Sequence, residues 1–110
     1  MNSARWGAVA LAAFLSLPAA GAGDSAAGRD KADTCIGCHG IPRYTNAYPT
    51  YRVPKLGGQS PAYIAAALKA YKSGERPHMT MHAQAASLSD QDIEDIASFL
   101  SAAPHHPSEQ

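Results

Sequence analysis

Cys35 and Cys38 stand three positions apart with Ile36 and Gly37 between them, and His39 follows at once. The chain has two cysteines in all, so this is its one place for thiol chemistry. Two thiols at this spacing can each add to one vinyl group of a porphyrin, leaving the adjacent imidazole to reach the iron from one face. Covalent haem attachment is the chemistry to which the pattern points. A dithiol–disulfide pair would need a strand–turn–helix setting, and little of the chain alternates as strands do. A zinc site wants four ligands. Cys35, Cys38 and His39 supply three, and His78, His82, His105 and His106 form no tight second half. A plain disulfide would close a very short loop and leave His39 unused.

Six-coordinate iron needs a second side chain from the opposite face. Residues 75–87, read as a polar loop between two helices, contain His78, Met79, Met81 and His82. A thioether is a soft, neutral donor that favours ferrous iron, so His/Met ligation raises the reduction potential. Methionine more often fills cores, but these two stand in a polar stretch and not on an apolar stripe. Spacing does not choose between Met79 and Met81. Ligation by His78 or His82 would instead give a bis-histidine haem of lower potential. With both axial positions filled, substrate is kept from the metal and only electrons pass. That describes a carrier, not an enzyme.

The rest of the chain must position this group. At 110 residues it allows one domain. Nine Lys and Arg balance nine Asp and Glu, which argues against nucleic-acid binding, where a basic excess is needed. No apolar run reaches the length of an ordinary membrane span. Arg5, the apolar run from Gly7 to Leu17, Pro18 and the small-x-small triplet Ala20-Gly21-Ala22 read as an export signal cut after Ala22. Residues 1–22 are thus expected to be removed, leaving one domain over 23–110 with a disordered tail from 104. So small a chain struggles to bury enough apolar surface by itself, and a large, flat, tethered macrocycle would supply what is missing.

Helices are expected at three places. The first runs from Ser25 to about Thr34, capped by Asp24 or Ser25, with Gly28, Ala32 and Cys35 on one face. Gly28 inside it costs roughly 1 kcal/mol against Ala, which close approach of another helix would offset. The second starts at Ser60-Pro61, buries Ile64, Ala67, Leu68 and Tyr71, and ends at Gly74. The third starts at Ser89, has Asp92 in capping-box position, buries Ile93, Ile96, Ala97 and Leu100 with Phe99 beside them, and stops at Pro104. Residues 40–60, punctuated by Pro42, Pro49, Pro54, Gly57 and Gly58, read as a long loop wrapped on the haem edge. Val53 and Leu56 are candidates to lie against the ring, with Arg52 or a tyrosine near its propionates. Ordinary packing and a solvated surface charge would account for these residues equally well.

Taken together, the motifs resemble those of bacterial class I cytochromes c, close to one half of the dihaem periplasmic cytochromes and to their small single-haem relatives. The matching pieces are Gly23-Asp24, Ala26-Ala27-Gly28, Cys35 to Gly40, Pro54-Lys55-Leu56-Gly57-Gly58-Gln59, Tyr63 with Leu68, Lys72 to Arg76, Leu88 to Ile93, and Ile96 to Phe99. The resemblance implies an all-α fold around one covalent haem c, its first and last helices crossing with Gly28 close to Phe99. It implies Cys35 and Cys38 as the thioether residues and His39 as the proximal ligand. In such relatives the axial methionine stands seven residues before the leucine of the Leu-Ser-Asp run, which selects Met81. They also commonly carry a proline three positions before Pro54, whose carbonyl accepts from the axial histidine; here that position is Tyr51.

The function so implied is periplasmic electron transfer in a respiratory chain. Electrons would come from a quinol-oxidising complex or a dehydrogenase and go to a terminal oxidase or reductase, with the membrane reached only through those partners. Arg43, Arg52, Lys55, Lys69, Lys72 and Arg76 fall mid-chain and the acids toward both ends, a dipole that could steer an acidic partner. The alternative is a dedicated haem c subunit of a periplasmic oxidoreductase complex, for which the tyrosines at 44, 48 and 51 would serve as interface. The relatives leave both monomer and homodimer open.

Overall fold

The computed structural model describes residues 23–103. The expected export signal and its cut after Ala22 lie outside these residues, as do Pro104, His105, His106 and the rest of the tail. The described chain carries five helices and one small hairpin.

Helix α1 spans Ser25–Lys31. Asp24 is its cap, accepting from the backbone N–H groups of Ala26 and Ala27, two of the donors that a helix start leaves unpaired. The expected helix does not end near Thr34. It bends at Ala32, where ψ is 5°, and continues as α2, Asp33–His39. Backbone bonding persists through the bend, with Ala32 N–H donating to Gly28 and Ile36 N–H donating to Ala32. The haem-type motif is therefore itself helical.

The expected loop of residues 40–60 contains a short hairpin, β1 (Thr45–Asn46) and β2 (Tyr51–Arg52), antiparallel with Thr45 opposite Arg52 and Asn46 opposite Tyr51. Side chains close its turn: Asn46 Nδ2 donates to the Pro49 carbonyl and Thr50 Oγ1 to that of Ala47. Strands of two residues are too short to display an alternating pattern, so periodicity could not reveal them.

Helix α3 spans Pro61–Ser73, with the Ser60 side chain accepting from Tyr63 N–H and Pro61 in the first turn. Gly74 ends it at φ 87°, a left-handed turn that glycine adopts without a Cβ clash. Helix α5 spans Asp90–Ala102 and begins with the full capping box: Ser89 accepts from Asp92 N–H and the Asp92 carboxylate accepts from Ser89 N–H.

The segment of residues 75–87 is the main correction. It is not a loop throughout, because Met79–Ala85 forms helix α4. Its cap is His78, whose ring nitrogen Nδ1 accepts from Met81 N–H at 3.2 Å. Histidine is not among the residues that announce a helix start, so the start was silent in the sequence.

Packing centres on α5. Ile93, Ile96, Ala97 and Leu100 meet Ile64, Ala65 and Leu68 of α3, Ala32 at the α1–α2 bend, and Ala85 of α4. Helix α1 comes against α5 where Gly28 faces it: a Cβ there would overlap the Asp95 carbonyl and sit 2.9 Å from Phe99 Cβ. The expected apposition of Gly28 and Phe99 is present. Ile93 and Ile96 are the largest fully buried side chains among the described residues, a modest core for a domain of this size. No helix of the described residues is long and apolar enough to cross a membrane.

Candidate haem site

Helix α2 presents the motif. Cys35 and Cys38 stand at i and i+3, and Cys35 and His39 at i and i+4, spacings that make side chains neighbours on one helical surface. Both cysteines are free thiols, partly buried, and Cys35 packs against the core. Burial pushes the Cys35 thiol pKa up, which keeps it a neutral thiol. A dithiol redox site lowers its nucleophile instead and sits in a strand–turn–helix setting; the described strands are the two-residue pair above. Nor do three or more Cys, His, Asp or Glu side chains among the described residues converge to hold a metal ion.

His39 is oriented from outside its helix. Its Nδ1 lies 2.7 Å from the Pro54 carbonyl oxygen. A carbonyl only accepts, so Nδ1 carries the proton and Nε2 keeps a lone pair available to a metal. Fixing one ring nitrogen through the other is how a ligating histidine is held in tautomer and direction. The resemblance pointed to the residue at position 51 as the acceptor. Tyr51 instead belongs to β2, its backbone set opposite Asn46, and Pro54, beyond the strand end, supplies the carbonyl.

On α4, Met81 is half-buried and packs against the core cluster, whereas Met79 is 86 % exposed. The first turn of this helix is gripped from two sides. Tyr51 donates its hydroxyl to Thr80 Oγ1 at 2.9 Å, and its ring meets that of His78 edge-on at 4.7 Å between centroids. From α3, the Tyr71 ring also meets that of His78 edge-on, at 6.0 Å between centroids, and its carbonyl accepts from His82 Nδ1 at 2.8 Å. The Arg76 guanidinium lies 4.8 Å over the Tyr71 ring and donates to the Tyr63 hydroxyl. His78 and His82, the histidine candidates for ligation, thus serve as cap and tether of α4 through Nδ1.

Val53 is buried, Leu56 half-buried against the core, and Arg52 exposed in the hairpin. Ile36 and Ile41, on either side of Cys38 and His39, are 41 % and 46 % exposed. Spacing did not disclose the parts played by Pro54, His78 and the Tyr51–Thr80 pair. Pro54 alone lay within a quoted motif, which was a usable signal.

The cytochrome c family model matches residues 25–104. The chain belongs to the cytochrome c family. This cytochrome is 46 % identical over 83 residues to cytochrome c-554(548) of Halomonas halodenitrificans, a match covering 73 % of the chain and 96 % of that protein. It is 39 % identical over 79 residues to cytochrome c4 of Pseudomonas aeruginosa, covering 72 % of the chain but 38 % of that protein. The solved structure of reduced recombinant cytochrome c4 from Pseudomonas stutzeri superposes with a TM-score of 0.56 at 29 % identity, covering 76 % of the chain and 52 % of the longer one. The chain therefore spans nearly all of one relative and about half or less of the others. These are class I bacterial c-type cytochromes, and the mostly helical fold agrees with theirs.

Membership makes this a haem c electron-transfer protein, with the haem held covalently and carrying iron. The residues present fit that group. Two free thiols lie one turn apart, and an imidazole with a free Nε2 follows the second. A half-buried methionine stands on a separate helix.

Proposed function

We propose that this cytochrome is a periplasmic electron carrier with His/Met axial ligation. Cys35 and Cys38 would form the thioethers, and His39 and Met81 would take the two axial positions. When bound, the haem supplies a one-electron ferric–ferrous couple. The protein's part is to hold that couple still. Pro54 keeps His39 in the tautomer that leaves Nε2 unprotonated, and the core keeps Met81 turned inward. Val53 and Leu56 would offer the group apolar surface, and Arg52, exposed in the hairpin, would meet its carboxylates.

The observation that carries the reading is the contrast between the two methionines. Met81 is packed against the core while Met79 points into solvent, and the family register selects the same residue. A thioether paired with imidazole raises the potential and leaves no open coordination position, so a carrier is favoured over a catalyst. Transfer would be outer-sphere, between this protein and redox partners such as a quinol-oxidising complex or dehydrogenase on one side and a terminal oxidase or reductase on the other. The apolar run before Ala22 supports export to the periplasm.

Visible spectra of the holoprotein and of Met81→Leu test this. The wild type is expected to show the weak red-edge sulfur-to-iron band when oxidised, and Met81→Leu to lack it and bind carbon monoxide rapidly when reduced. A band that persists in Met81→Leu would reject Met81 as ligand. Its absence from the wild type would reject His/Met ligation.

A specific observation favours a second reading, a dedicated haem subunit of an oxidoreductase complex. Tyr48, beyond the hairpin's first strand, is 94 % exposed, and exposed aromatics suit a lasting interface. Native purification separates the two: a stable stoichiometric partner favours the subunit, and a free small cytochrome the carrier.

A further inference from the structure

The short strap of residues 51–54 touches both sides of the site. Its last residue, Pro54, accepts from His39 Nδ1 at 2.7 Å. Its first, Tyr51, donates its hydroxyl to Thr80 Oγ1 at 2.9 Å, and Thr80 is the residue immediately before Met81. Tyr51 also lays its ring edge-on against His78, the cap whose Nδ1 accepts from the Met81 backbone N–H. The strap is anchored in its turn. Tyr51 stands opposite Asn46 in the hairpin, Val53 N–H donates to the Tyr44 carbonyl at 3.0 Å, and Val53 is buried.

From this juxtaposition we propose that Tyr51 is a positioning residue for the sixth ligand: its hydroxyl clasps α4 to the same strap that orients His39, so that both axial side chains are referred to one short piece of backbone. The inference rests on the Met81 assignment above. Helix α4 has seven residues, too few to be stable by itself, so its place depends on what grips it. The core holds Ala85 near its far end, and Tyr71 and Tyr51 hold its first turn. Among these contacts the Tyr51–Thr80 bond runs between the hairpin strap and the residue beside Met81. Losing it frees the first turn to swing, carrying the thioether away from the iron without unfolding the domain. This gives part of the tyrosine-rich segment a role that composition could not assign.

Imidazole is a suitable probe, because it occupies ferric iron only when the methionine is off, so its binding reports the population of the open state. The test uses ferric holoprotein carrying Tyr51→Phe, Thr80→Val, both together, or Thr80→Ser, followed at the red-edge band. Tyr51→Phe keeps the ring contact with His78 and removes only the hydroxyl. Each single removal is expected to strengthen imidazole binding roughly three- to ten-fold, the factor to which one hydrogen bond's net free energy converts. The double variant should match either single one, since both delete the same bond. Thr80→Ser, which keeps an oxygen acceptor, should bind imidazole as the wild type does.

Wild-type binding in both Tyr51→Phe and Thr80→Val overturns the clasp, and so does a double variant whose effect is the product of the two. A general loosening of the fold would lower thermal stability in all variants and strengthen imidazole binding equally in Thr80→Ser, which also overturns it. Failure of the underlying reading looks different. In that case Met81→Leu keeps the red-edge band whatever Tyr51→Phe does, and the clasp falls with it. Loss of the band in Met81→Leu with unchanged imidazole binding in Tyr51→Phe removes the clasp alone.

Discussion

At the scale of single residues, the site depends on small differences between neighbours of the same type. Met79 and Met81 stand two positions apart on one short helix, yet one is 86 % exposed and the other lies against the core. Met79→Leu is accordingly expected to leave the red-edge band intact and to change stability by less than about 0.5 kcal/mol, as surface substitutions do. Spectra and thermal melts of the holoprotein check both parts; loss of the band in this variant would transfer the ligand role to Met79. His39 shows the same dependence on setting. Its identity was legible from the motif, but its tautomer is set by Pro54, fifteen residues further along the chain. A side chain's neighbours in sequence say little about such a partner, because the strap reaches α2 only after the hairpin has reversed the chain.

At the scale of elements, legibility followed capping chemistry. Ser60-Pro61 and the Ser89/Asp92 box announced α3 and α5, and both start where those residues predict. Helix α4 has a histidine cap and seven residues, and the hairpin has two-residue strands, so neither offers a period long enough to read. The α1–α5 contact was legible through one glycine whose helical cost called for an offset. The structure supplies the offset as backbone proximity: the Asp95 carbonyl occupies the space a Cβ at Gly28 would need, with Phe99 Cβ 2.9 Å from it. A backbone carbonyl in a helix has no rotamer by which to withdraw, so Gly28→Ala must separate the helices. The expected loss is about 3 kcal/mol, the upper end of overpacking, read as a fall of roughly 10 °C or more in the melting temperature. An unchanged melting temperature would mean that α1 and α5 are not apposed at this point.

At the scale of the whole molecule, helices α1 and α5 are joined by a charged network that periodicity did not reveal. Asp95 is 2 % exposed although it lies on α5 among the apolar residues of the stripe. Its carboxylate accepts from Asp24 N–H at the start of α1, from Lys31 Nζ at 2.6 Å, and from Gln91 Nε2. Lys31 also pairs with Asp92 at 2.8 Å. A hydropathy stripe treats every carboxylate as solvent-facing, so a buried, fully partnered one is invisible to it. Lys31, with the backbone and side-chain donors around it, lowers Asp92 and Asp95 from the usual 3.8 to about 2. Because the folded values lie below the unfolded ones, the unfolded chain binds more protons in this range. The stabilisation is therefore full above about pH 4 and disappears as the pH falls through about 2. The melting temperature of the holoprotein should drop steeply across that window. In Asp95→Asn, which can still accept from Asp24 N–H but has no charge to lose, the drop should be shallower, and the variant should already melt lower at pH 7. Parallel curves for the two proteins would show that the acid sensitivity arises elsewhere, and that α1 and α5 are held together by the Gly28 contact and the core without help from Asp95.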